Sequence, residues 1–127
     1  MEGSFGRRKN LLCGRVGGGE MASKLEELMA FQIKACDWPE PIREYLFIHG
    51  RCFRADFAWP ALKLLLEVDG GTWNVGRHTS GKGFANDCEK YNLAMLQGWR
   101  VLRVTGEHIK SGQALAWLEE VMRLPFE

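Results

Sequence analysis

The chain has 127 residues, 46% of them hydrophobic and 26% charged, with a formal net charge of +1. That length allows one domain with a sizeable core, and the balance is that of a globular protein rather than a disordered or fibrous one. No apolar run approaches the roughly 20 residues needed to span a bilayer, and a net charge so near zero neither demands nor forbids a nucleic-acid partner.

Residues 1–20, "MEGSFGRRKNLLCGRVGGGE", are Gly-rich, basic and without periodicity. They read as a disordered leader or non-native extension ahead of a single domain over residues 21–127. "RRKNLLCG" hints at a signal peptide, but its apolar part is only Leu11, Leu12 and Cys13, short of the roughly 7–15 residues such a segment needs. Gly-Gly-Gly-Glu before Met21 can be encoded by a purine-rich stretch like a ribosome-binding site, which marks Met21 as a candidate native start. Cys13, Cys36, Cys52 and Cys88 are scattered, with no pair at zinc-knuckle spacing. Reduced thiols in a cytoplasmic protein are therefore expected, not a metal–thiolate site or a disulfide framework.

The first element is a helix in "SKLEELMAFQIKAC", with Leu25, Leu28, Met29, Gln32 and Ile33 at helical spacing. Ser23 and Glu26 form an S-x-x-E capping box at its start, and "DWPEP" stops it. "REYLFIHG" and "CFRADFAW" read as strands, and "LKLLLEVD" as a central strand covered on both faces. A Gly-rich loop, "GGTWNVGRHTSGKG", leads into the helix "FANDCEKYNLAMLQG", which carries Phe84, Cys88, Tyr91 and Met95 on one side. "WRVLRVT" is a fourth strand and "SGQALAWLEEVMRL" a final amphipathic helix with Leu115, Leu118 and Met122 inward. The order α-β-β-β-α-β-α fits one α/β layer, a mixed four-stranded sheet flanked by helices.

Glu67 and Asp69 are two apart on the central strand and so share a face. Alternation in "FRADFAW" puts Phe53, Ala55, Phe57 and Trp59 on one face, with Arg54 and Asp56 on the other. If that strand pairs with the next, Asp56 meets Glu67 and Asp69 at the sheet edge. Two or three converging carboxylates suit Mg²⁺ (or Mn²⁺), which keeps its remaining waters and can activate one of them. The plainer alternative is salt bridging, with Arg54 or Arg103 as partners.

The blocks "FRADFAWP", "LKLLLEVDGG", "GRH", "DCEKYN" and "GWRVLRVT", in that order, resemble the PD-(D/E)xK nuclease superfamily. The likeness is strongest to the small bacterial and phage-borne branch related to the very-short-patch mismatch-repair endonuclease. The resemblance implies a restriction-endonuclease-like fold, with Asp56 and Glu67 as metal ligands. Glu26 matches an acid that reaches the metal through water. The chain departs at the third position, where Asp69 stands in place of the motif's lysine. His78, with an imidazole suited to general-base work, and Lys90, matching members whose lysine has moved to the following helix, are the candidates to replace it. The plainer readings are a solvated loop histidine and a surface lysine bonded to Asp87 or Glu89.

Residues 70–86 contain Arg77, His78 and Lys82 and no acid, a composition able to follow a phosphate backbone. Trp73 is a candidate for stacking on bases or for core packing. Arg100 and Arg103 are expected to project together toward the same groove, or to pair with carboxylates. The reading is a Mg²⁺-dependent endonuclease hydrolysing DNA by in-line attack of water, with catalytic candidates Asp56, Glu67, Asp69, His78 and Lys90. The rivals are a nuclease fold that only grips DNA or a protein, and an RNA-directed nuclease; cut-site specificity and oligomeric state stay open.

Overall fold

The computed structural model describes residues 19–69 and 81–125. Helix α1 (Gly19–Lys34) is followed by β1 (Ile42–Leu46), β2 (Arg54–Trp59), a 3-10 turn (Pro60–Leu62) and β3 (Leu64–Asp69). Helix α2 (Gly81–Leu96), β4 (Arg100–Thr105), α3 (Gly106–Ser111) and α4 (Gln113–Arg123) complete the described chain. The sheet runs in the order β1-β2-β3-β4. Its first three strands are antiparallel, and β3 pairs with β4 in parallel. A parallel pair needs a long crossover, which α2 supplies. The expected α/β layer with a mixed four-stranded sheet is what forms.

The run Leu64, Leu65 and Leu66 is buried on both faces. On one side Leu64, Leu66 and Val68 meet Leu25, Met29 and Ile33 of α1, Ile109 of α3 and Leu118 of α4. On the other, Leu65 meets Ala58, Trp99 and Ala94 of α2. Helices therefore cover both faces, which is why this strand lacks the alternation of a half-exposed one.

Four expectations are corrected. Helix α1 already runs from Gly19, so Ser23 lies inside it and the capping-box reading of Ser23 with Glu26 fails. The face assignment of β2 also breaks: Phe57 and Trp59 belong to the α1 side, but Ala55 to the α2 side. The cause lies across the ladder. Glu44 has φ +53°, and on its two sides Arg43 reaches Glu27 of α1 while Tyr45 packs on Trp99. A left-handed residue between them makes the edge of the sheet switch faces. On α2, Phe84 and Met95 are 66% exposed and Cys88 is exposed, so of that stripe Tyr91 alone turns inward. Finally, the last helix forms as expected in α4, but a short helix that the sequence reading lacks, α3, precedes it. Thr105 caps α3, accepting from His108 N while His108 Nδ1 accepts from Thr105 N, and Gly112 at φ +89° divides α3 from α4.

Thiol chemistry also departs from expectation, since Cys36 and Cys88 are free but Cys52 is disulfide-bonded. Spacing in sequence does not report which thiols meet in space. No helix among the described residues is long and apolar enough to cross a membrane.

Candidate functional site

Because Leu64, Leu66 and Val68 face α1, alternation turns Leu65, Glu67 and Asp69 toward α2. Glu67 is only 9% exposed, and an unpaired carboxylate so placed is costly. Two consecutive residues of α2 answer it, one at each oxygen. Tyr91 donates its hydroxyl to Oε1 at 2.7 Å, and Lys90 Nζ lies 2.8 Å from Oε2. The lysine contact is an ion pair by distance but misses hydrogen-bond alignment. Oε2 has no hydrogen bond among the described residues, and the ammonium donates to the Arg54 carbonyl at 2.9 Å. Lys90 and Glu67 side chains are 16% and 12% exposed, so salt screens this pair only weakly.

Lys90 can point inward because its neighbour takes the surface role. Glu89 pairs with Arg51 at 2.8 Å, and that hydrogen bond holds its carboxyl below the ordinary carboxylate range. Burial first, and then the Glu67 charge, push the Tyr91 phenol far above its usual range. Tyr91 is thus a neutral donor under all ordinary conditions.

Strands β2 and β3 pair Phe57 with Leu66; one step further the same register sets Asp56 across from Glu67. There the ladder changes character, because Val68 N–H donates to Asp56 Oδ2 at 2.7 Å. Asp56 and Glu67 thereby sit on adjacent strands at one end of the sheet. Across the other side of β3, Glu67 pairs in register with Arg103. Arg103 leans instead to Asp69, with Nη2 3.4 Å from Oδ2, and lays its guanidinium 4.7 Å from the centre of the Tyr91 ring. The crowded pair of carboxylates on β3 thus faces two different cations, Lys90 and Arg103.

The remaining expected residues divide clearly. Glu26 is buried, 6% exposed, on α1, across the sheet from α2. Among the described residues no group of three or more acid, histidine or cysteine side chains is gathered for a metal, so Glu26 and Asp69 do not join Asp56 and Glu67 in such a cluster. Arg100 and Arg103 do not project together: Arg100, the first residue of β4, donates to the Leu62 carbonyl at 2.9 Å. Three residues apart on a strand is an odd spacing, which sends side chains to opposite faces. Trp73, Arg77 and His78 lie outside the described residues, and so does the side chain of Lys82.

Tyr91 is the member that sequence reasoning missed as a functional residue. Its signal was present as Asp87, Lys90, Tyr91 and Ala94, an i, i+3, i+4, i+7 stripe, masked by the more hydrophobic stripe Phe84, Cys88 and Met95, with which Tyr91 was grouped. A cavity of about 600 Å³ lies elsewhere, between the C-terminal end of α1 and β1, lined by Phe31, Trp38, Pro41, Arg43 and Phe57; it does not include the carboxylates.

The described fold and site define an α/β layer with two acids on adjacent strands, a half-buried lysine and a neutral phenol at one sheet end. Comparison with protein-family models, with curated proteins and with solved structures finds no match.

Proposed function

We propose that the protein is a metal-dependent endonuclease that hydrolyses DNA phosphodiester bonds. The observation that carries this reading is Lys90 Nζ 2.8 Å from Glu67 Oε2, with Asp56 opposite Glu67 on the neighbouring strand. It is the acid–acid–lysine set implied by the resemblance, with the lysine supplied by the helix.

A divalent ion fits the donors. Asp56 and Glu67 would hold it: both offer hard oxygen, and Glu67 Oε2 is buried without a hydrogen bond, while Mg²⁺ is commonly held by one or two carboxylates plus waters. When bound, the ion supplies a more acidic water and charge neutralisation at the phosphoryl oxygens. The chain's own residues do the rest. Val68 N–H fixes Asp56, and Tyr91 fixes Glu67. Lys90, anchored on the Arg54 carbonyl, keeps a positive charge where an attacking water is oriented and negative charge develops. Arg103, 45% exposed at the rim, is available to a phosphate of the backbone. The absence of a third ligand among the described residues and the engagement of Asp69 by Arg103 favour a second reading, a module that grips nucleic acid without cutting it.

The two readings separate in one assay. Supercoiled plasmid and a structured RNA are incubated with the protein, with Mg²⁺ and with chelator. Mg²⁺-dependent nicking of the plasmid is expected; retention of DNA without strand breaks would favour the gripping module, and cleavage confined to RNA would move the substrate.

A further inference from the structure

Lys90 and Tyr91 straddle a single carboxylate with unlike chemistry, a cation at one oxygen and a neutral donor at the other. We propose that Tyr91 is a positioning residue that commits Oε1 of Glu67 and leaves Oε2 as the oxygen offered to a divalent cation, while Lys90 is an internal counter-ion that the incoming cation displaces from Oε2. The inference rests on the metal-site reading above.

A hydroxyl on one oxygen holds the carboxylate rotamer without adding positive charge, so it assists a dication at the other oxygen. An ammonium 2.8 Å from Oε2 does the reverse, since it neutralises the carboxylate and repels the incoming ion. Its lack of hydrogen-bond alignment with Oε2 and its bond to the Arg54 carbonyl let it yield that oxygen without leaving the site. Two neighbours that both touch Glu67 therefore act on metal affinity with opposite signs. A merely structural role for both would give losses at both.

The test is Mn²⁺ binding to the full chain at pH 8, followed through the electron paramagnetic resonance signal of the free ion. Wild type, Tyr91→Phe and Lys90→Met are compared, each first checked by thermal melting without metal. Tyr91→Phe is expected to weaken binding about tenfold, the scale of one hydrogen bond to a charged group. Lys90→Met is expected to tighten it by a factor on the order of ten. Should Lys90→Met melt too early, Lys90→Gln keeps a polar group toward the Arg54 carbonyl and carries the same expectation. Binding that Tyr91→Phe leaves unchanged, or that the Lys90 variant weakens or leaves unchanged, overturns this inference alone. No Mn²⁺ binding by the wild type overturns the metal site together with it.

Discussion

Glu67 is held on β3 by two residues of α2, so removing a partner and removing the carboxylate have unequal costs. Lys90→Met leaves a buried charge without its cation and is expected to lower stability by about 1–3 kcal/mol. Adding Glu67→Gln in the same chain should recover much of that loss, because the orphaned charge is gone. Urea unfolding of the single and double variants measures the coupling; additive losses would show that the pair does not interact. Tyr91 gives a second handle, with a sign that follows from its raised ionisation. Above the ordinary tyrosine value of 10.0 the unfolded chain releases the phenolic proton, while the folded chain keeps it. The stability that Tyr91 contributes is therefore present below pH 10 and is lost as the pH rises above it. Alkaline unfolding of Tyr91→Phe should show a shallower fall with pH than the wild type. Equal slopes would mean that Tyr91 ionises freely in the folded chain.

At the scale of elements, α2 explains why part of the site was legible in the sequence and part was not. Asp56 and Glu67 were readable because the pairing of successive strands places them opposite each other whatever covers the sheet. The face of α2 was not, because hydrophobicity stops marking the buried side where a helix lies over polar groups. Its inward positions are the charged Lys90, the phenol Tyr91 and the small Ala94, fully buried at 0% exposure, while Phe84 and Met95 stand in solvent. Met95→Lys should accordingly leave stability within about 0.5 kcal/mol. Ala94→Leu should cost about 1–3 kcal/mol by overpacking and displace Lys90 and Tyr91 one turn away. Thermal melts of both variants check the assignment, and a large loss in Met95→Lys would restore the apolar stripe to the core. The face switch at Glu44 was equally hidden, since nothing in "IREYL" announces a left-handed glutamate.

At the scale of the molecule, the order of strands and helices was legible because each element has its own period, and among the described α-helices and strands the short helix Gly106–Ser111 was the one missed. Its start rests on a His–Thr cap rather than on an apolar stripe. Long-range facts were less accessible: the bonding of Cys52 depends on the folded path of the chain. The same holds for the choice between Lys90 and His78. Lys90 stands 2.8 Å from Glu67, and on the function proposed above it supplies the charge near the attacking water. The rate with Mn²⁺ should then show no inflection near pH 6.5 that His78→Ala abolishes. Such an inflection, lost in His78→Ala together with most of the rate, would transfer the proton to the histidine.

The central claim is that Asp56 and Glu67 act together on a phosphodiester, and the direct measurement is Mg²⁺-dependent nicking of supercoiled plasmid by the wild type, Asp56→Ala and Glu67→Ala, with folding of each confirmed by melting. The account predicts nicking by the wild type and a loss of at least about a hundredfold in either variant, the scale on which an interaction at the reacting centre acts. Folded variants that nick at the wild-type rate would contradict it.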